Sequence, residues 1–425
     1  MNKQTQKVWY APHKFEAFGE AEIQAVNDCL RDGWLAGVGP RTEEFERRVA
    51  SFFGKKHGVF VNSGSSACLL ALACLQLPSD SEIITPACTF STTVAPMVQL
   101  GLKPVFCDVD IAAYVPTVDM VVACVTDRTR VIMIPNLIGN KPDWAGLKVR
   151  LVELGRPDVV LIEDSADTMT TTSETDISTV SFYASHVITA GGMGGMVMVN
   201  NNKLRIVTKQ FRDWGRIGED VEDPEQRFAH SIDGIPYDFK FLYGVLGYNM
   251  KGSEMCAAFG LVQLDRLDRI LAHRRSLIER YKTNLANVAG LILPDDSGKP
   301  NWLAIPLQCE NRLSLLHYLE SNNIQTRVTF AGNITRHPAY RQFLQPFANA
   351  DKIMKDGFLL GAHHGMSVED VDYVCGHIKA FLVSSKQQSP LQCAKLANAS
   401  TKNVDEKVTT MARAAPDDPL QENAA

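Results

Sequence analysis

Residues 158–167 read DVVLIEDSAD and residues 177–186 read ISTVSFYASH. Each begins with β-branched residues, which suit a pleated surface packed on both sides, and ends in small and polar ones. Outward from this pair the pattern recurs in HGVFVNS (57–63), SEIITP (81–86), KPVFCDVD (103–110), TRVIMIPN (129–136) and GGMVMVNN (194–201). Helical stretches such as SSACLLALACLQL (65–77) and TFSTTVAPMVQLG (89–101) lie between them. Apolar strands separated by helices predict an α/β fold with a mostly parallel sheet buried on both faces. Ahead of it, TEEFERRVASFFG has apolar residues at 45, 49, 52 and 53, an amphipathic helix stopped by Gly54.

Two helical segments follow over 253–289. Strand-like NWLAIPL and QTRVTF then alternate with the helices RLSLLHYLESN and VEDVDYVCGHIKAFL, which predicts a smaller α+β domain. The expected division is therefore a large domain with its N-terminal segment (1–252), connecting helices with a small domain (253–385), and a tail (386–425). That tail is polar and almost free of aromatics, so disorder is expected there.

The chain has 425 residues, 45% hydrophobic and 21% charged, with a net charge of -5. No basic arm occurs, so nucleic acid and membrane surfaces are not expected partners. No run of about 18 apolar residues and no secretory leader pattern is present, which points to a cytoplasmic protein. None of the ten cysteines forms a C-x-C or C-x-x-C pair, so no metal site is expected and buried reduced thiols are.

Four features fall at predicted strand ends, where open α/β sheets bind ligands. NSGSSA (62–67) offers helix-start amides to a phosphate, or is a structural turn. LIEDSAD (161–167) sets Asp164 just past a buried strand, where it can pair with a cationic ring nitrogen or simply face solvent. PACTFSTT (86–93) places Phe90 at a helix start, for stacking on a flat ligand or for the core. SFYASH ends in His186, a proton carrier or a hydrogen-bonded structural residue.

The order of these motifs resembles the DegT-type nucleotide-sugar aminotransferases, enzymes of pyridoxal-phosphate (PLP) fold type I, the aspartate aminotransferase-like fold. The resemblance spans about 20–385 and includes GWLAGVGPRTEEFERRVASFFG (33–54) and GYNMKGSEMCAAFGLVQLDRL (247–267). It implies that Gly64, Ser65 and Ser181 bind the coenzyme phosphate, that Phe90 stacks on the pyridine and that Asp164 holds its ring nitrogen protonated. Asn249 would reach the phosphate of the neighbouring subunit, which implies a homodimer. Asp167 belongs to the same coenzyme site and is shared with the family's sugar 3-dehydratase branch.

In that family the fifth residue after the Ser of SF is normally the lysine that links covalently to the coenzyme; here it is His186. Imidazole forms no stable Schiff base, so PLP or its pyridoxamine form (PMP) would be held without a covalent bond. The 3-dehydratase branch carries this replacement, and FRDWGR (211–216), PYDFKF (236–241) and TRVTFAGNITRHP (326–338) resemble it too. The resemblance implies removal of the carbon-3 hydroxyl from a CDP- or GDP-linked 4-keto-6-deoxyhexose, with His186 moving the proton.

Arg327, Asn333 and Arg336 would then lie at the sugar-nucleotide site, or the arginines pair with surface acids. One subgroup uses an iron–sulfur cluster and a partner reductase, with cysteines soon after RDWGR. Residues 212–241 contain none, so regeneration of PMP by glutamate is expected instead. A cluster-dependent CDP-sugar enzyme and a non-catalytic aminotransferase-like binding protein are the competing readings.

Overall fold

The computed structural model describes residues 7–387 apart from 13–16, 36–37 and 220; from 388 onward the expected tail lies outside the described residues. Two helices lead in, α1 (Glu20–Asp32) and α2 (Pro40–Phe52). Gly54, at φ +73°, supplies the left-handed stop that the pattern predicts for α2.

Strands and helices then alternate through β1 (His57–Val61), α3 (Gly64–Ala73), β2 (Glu82–Pro86), α4 (Ser91–Gln99), β3 (Lys103–Cys107) and α5 (Val118–Val122). They continue through β4 (Thr129–Pro135), α6 (Trp144–Glu153), β5 (Val160–Ser165), β6 (Ile177–Ser181) and β7 (Gly195–Val199). The sheet order is β1-β7-β6-β5-β4-β2-β3. Only β7 among these strands is antiparallel to its neighbours, β1 and β6. Ile162, Val180 and Val197 are wholly buried, as helices on both faces of such a sheet demand. Each aliphatic side chain so buried contributes about 1.5–3 kcal/mol.

After α7 (Asn202–Arg212) and the short α8 (Pro224–Arg227), an exposed hairpin follows, β8 (His230–Ile232) and β9 (Ile235–Tyr237). The sequence pattern does not announce this hairpin, because its residues lack a core to alternate against. Helices α9 (Glu254–Asp265) and α10 (Leu267–Leu285) lead into the C-terminal part. It comprises β10 (Ala304–Gln308), α11 (Arg312–Ser321), β11 (Thr326–Val328), α12 (Ala348–Asp356), β12 (Gly357–Gly361) and α13 (Val368–Gln387). Two strands are expected there from sequence, and the structure adds a third. β12 is the central strand, antiparallel to both β10 and β11. It is buried along its whole length, and GFLLG, with glycine at both ends, lacks the β-branched residues that mark the other buried strands.

Candidate active site

A cavity of about 260 Å³ opens where β4, β5 and β6 end and α3 and α4 begin. Parallel strands deliver their carboxyl ends to one edge, so residues far apart in sequence meet there. Gly64, Ser65, Phe90, Asp164, Asp167, Ser181 and His186 all line it.

Gly64 opens α3, whose first amides have no partner within the helix. Ser63 caps the helix by accepting from Ser66 N at 3.1 Å. A Cβ at Gly64 would stand 2.5 Å from Ser181 Cβ, so only glycine lets α3 approach the end of β6 this closely. Ser65 Oγ donates to Thr92 Oγ1 at 2.9 Å. Phe90 stands at the start of α4, 51% exposed, with Phe330 edge-on to it at 6.0 Å.

Asp164 is the penultimate residue of β5, inside the strand and not past it as expected, and is buried. Its Oδ2 accepts from Thr93 Oγ1 at 2.7 Å and its Oδ1 from Ala166 N at 3.1 Å. Burial nevertheless pushes its carboxyl above the usual range, the Thr93 and Ala166 bonds only partly opposing it. A cationic group opposite would relieve that cost. Asp167 accepts from Ile138 N at 2.9 Å, and burial pushes it up to about 7. Ile138 has φ +61°, a costly backbone for a β-branched residue, in the turn that follows β4.

β6 ends at Ser181, earlier than the strand-like run SFYAS suggests. Tyr183 N donates to Ser181 Oγ at 3.3 Å and His186 N to Tyr183 O at 3.0 Å, which bends the chain into a turn carrying His186. His186 Nδ1 lies 3.4 Å from Ser181 O. A carbonyl only accepts, so Nδ1 carries the hydrogen and Nε2 keeps its lone pair. The ring is half-buried, open toward the cavity and packed elsewhere. Desolvation pushes its pKa down to about 4; the Ser181 bond opposes this, while the charge of Arg274 adds to it. The imidazole is therefore a neutral proton acceptor at ordinary pH.

Arg327, Asn333 and Arg336 do not line this cavity, and neither does Asn249, whose expected place is the neighbouring subunit's site. Asn249 is exposed and bridges to Asp213. Arg327 donates to Thr326 O at 2.7 Å and lies over the Tyr10 ring. Asn333 is fully buried: its Nδ2 donates to Gln345 O and Asp351 Oδ1, and its Oδ1 accepts from Thr335. Arg336 forks onto both oxygens of Asp351, the acid-pairing alternative. Phe330, from the same segment, does reach the cavity.

The sequence profile of the DegT/DnrJ/EryC1/StrS aminotransferase family matches residues 16–379. The chain belongs to this family. Among its relatives, the lipopolysaccharide biosynthesis protein RfbH of Salmonella typhimurium is 34% identical, over 87% of this chain and 91% of that one. The dTDP-4-dehydro-2,6-dideoxy-D-glucose 3-dehydratase of Saccharopolyspora spinosa is 36% identical, over 82% of this chain and 81% of that one. The solved E. coli GDP-4-keto-6-deoxy-D-mannose-3-dehydratase with bound hydrated PLP shares the fold, with a TM-score of 0.78 and 24% identity. It covers 88% of this chain and 100% of that one.

As a DegT-family member the protein is a PLP-dependent enzyme, and its cavity fits that coenzyme. A helix start with adjacent hydroxyls can seat a phosphate, and a buried carboxylate without a cation can meet a protonated ring nitrogen. Tyr183, Thr93 and Phe330 join the site without having been singled out in the sequence. Tyr183 sits three residues before His186, its ring edge-on to the imidazole at 6.0 Å. Thr93 lies one helical turn past Phe90, a spacing that could have exposed it. No helix among the described residues is long and apolar enough to cross a membrane.

Proposed function

We propose that this DegT-family enzyme is a PLP/PMP-dependent 3-dehydratase that removes the carbon-3 hydroxyl of a nucleotide-linked 4-keto-6-deoxyhexose. The observation that carries the reading is the residue at the coenzyme's reactive edge. His186 lines the cavity with Asp164, and among the described residues no lysine does. Lys203, the nearest lysine downstream, lies at the start of α7 and not in the cavity lining. A site without an amine to displace suits elimination better than amino-group exchange. The 3-dehydratase named among the relatives supports the same direction.

Bound in its pyridoxamine form, the coenzyme would supply the amine that joins the 4-keto carbon and a conjugated system that passes the electron pair freed by proton removal on to the departing hydroxyl. Gly64, Ser65 and Ser181 hold the phosphate, and Phe90 stacks on the ring. Asp164 keeps the ring nitrogen protonated, and that cation in turn stabilises the buried carboxylate. His186 takes a proton at Nε2 and returns it to the departing oxygen, so water leaves without hydroxide having to form. Asp167 stands beside Asp164 as a second carboxyl of the coenzyme site.

Glutamate is the proposed amino donor, because residues 212–241 hold no cysteine for a cluster. A homodimer is proposed too. Leu246 is 94% exposed near Asn249, with Tyr243 and Ile217 uncovered beside it, an apolar face that a second copy would cover.

Incubation with CDP-, GDP- and dTDP-linked 4-keto-6-deoxyhexoses, PLP and glutamate tests the reading. A 3-deoxy sugar is expected from one of them. An amino-sugar product would overturn dehydration, and tight PMP binding with no product from any of the three would mark a binding protein. Iron and sulfide in the freshly purified protein would replace glutamate with a cluster and reductase.

A further inference from the structure

α10 carries two consecutive arginines with opposite fates. Arg275 reaches Asn301 Oδ1 at 2.9 Å at the surface. Arg274 is 2% exposed. Its Nη1 donates to Leu303 O at 2.9 Å, with longer contacts from Nη1 to Ala362 O at 3.4 Å and from Nη2 to His186 O at 3.5 Å. Its Nε has no partner among the described residues, and its hydrogen bonds there all go to backbone carbonyls. A buried ion without a counter-ion is costly, and a guanidinium cannot escape by losing its proton near neutrality. Burial lowers it to about 10, so it stays charged.

We propose that Arg274 is a positioning residue for His186: it fastens the His186 turn to the chain entering β10 and leaving β12, and sets a fixed positive charge behind the imidazole. Other groups surround the pair. Tyr183 lies edge-on to the His186 ring, and Asp164 and Asp167 line the same cavity. Tyr10 lies within electrostatic reach of both Arg274 and Asp167, with Arg327 over its ring. His363 is kept neutral, its Nε2 donating to Trp9 O at 3.1 Å and its Nδ1 accepting from Gly365 N. A cation at Arg274 disfavours a second one on His186, so docking of the small-domain strand ends and readiness of the proton acceptor share one residue.

The inference rests on His186 being the proton acceptor, yet its test needs no substrate and so stands apart from the dehydratase reading. In full-length protein with ¹³C-labelled histidine, the His186 resonance is assigned with His186→Asn and followed against pH. Arg274→Met should raise its midpoint by roughly one unit while circular dichroism stays native, and Arg274→Lys should leave it near the wild-type value. An unchanged midpoint in folded Arg274→Met overturns the proposal, since a purely structural arginine would not move it. If Arg274→Met does not fold, Arg274→Lys decides by amide exchange over residues 184–189. Exchange about tenfold faster supports the clamp, and unaltered exchange overturns it.

Discussion

The edge of the large sheet and the segment 326–338 were both rich in candidate residues, and they fared differently. At the sheet edge, Gly64, Ser65, Phe90, Asp164, Asp167, Ser181 and His186 converge on one cavity. In 326–338, Phe330 reaches that cavity, while Asn333 and Arg336 are occupied by Asp351 and by neighbouring backbone. A residue at the end of a parallel strand is aimed by the sheet, which leaves it little choice of partner. Polar residues in a long connection can satisfy one another instead, and here they do.

The contrast breaks first, and most severely, at His186. His186→Asn should lower 3-deoxy-sugar formation by about 10²–10⁴-fold while coenzyme still binds, as loss of a general base does. Product analysis beside a PLP absorbance titration checks this; activity within a few fold would leave the turn without its proposed role. His186→Lys should add a covalent, borohydride-reducible coenzyme link, read by mass spectrometry.

Gly64→Ala should come next. The new Cβ would collide with Ser181 Cβ at 2.5 Å, and coenzyme affinity should fall by about tenfold or more, a cost of about 1.4 kcal/mol. Unaltered affinity by fluorescence titration would mean that α3 and β6 need not approach so closely.

The pH response of His186 sharpens the comparison further. Its folded-state value of about 4 lies below the ordinary value of about 6.5. Between those values the unfolded chain binds the proton more readily, so stability from the neutral ring is whole above about 6.5 and declines as pH falls toward 4. Coenzyme-free protein melted across that range should show a steeper acid loss than the His186→Asn variant. Parallel curves would place the ring in water.

Arg336→Ala should have the smallest effect. Its partner Asp351, on the nearby α12, already holds it in an exposed pair, so KM for the sugar nucleotide should change by no more than about twofold. A tenfold rise would return Arg336 to the substrate site.

Much of the fold was legible because burial on both faces leaves its mark in composition: DVVLIEDSAD and TRVIMIPN read as buried strands and are. β12 and the hairpin β8–β9 were not, the first because GFLLG has glycine at both ends and no β-branched residue, the second because it is too exposed. Asp164 and His186 were legible as polar residues closing strand-like runs, although Asp164 lies within β5 and His186 five residues beyond β6. Arg274 was not, because RR inside HRRSLIERY looks like one charged helix face, and nothing local says that one arginine turns inward.

The sequence by itself determined the alternation of strands and helices, the family, and a histidine at position 186 just beyond a strand end. Those are matters of residue type and order, and order alone places strand ends along one edge of a sheet. Only the tertiary structure decided which side chains face the cavity, which polar groups are already satisfied, and that Arg274 turns inward to backbone carbonyls, that of His186 among them. Those outcomes depend on distances between segments remote in the chain, where each group finds or fails to find a partner.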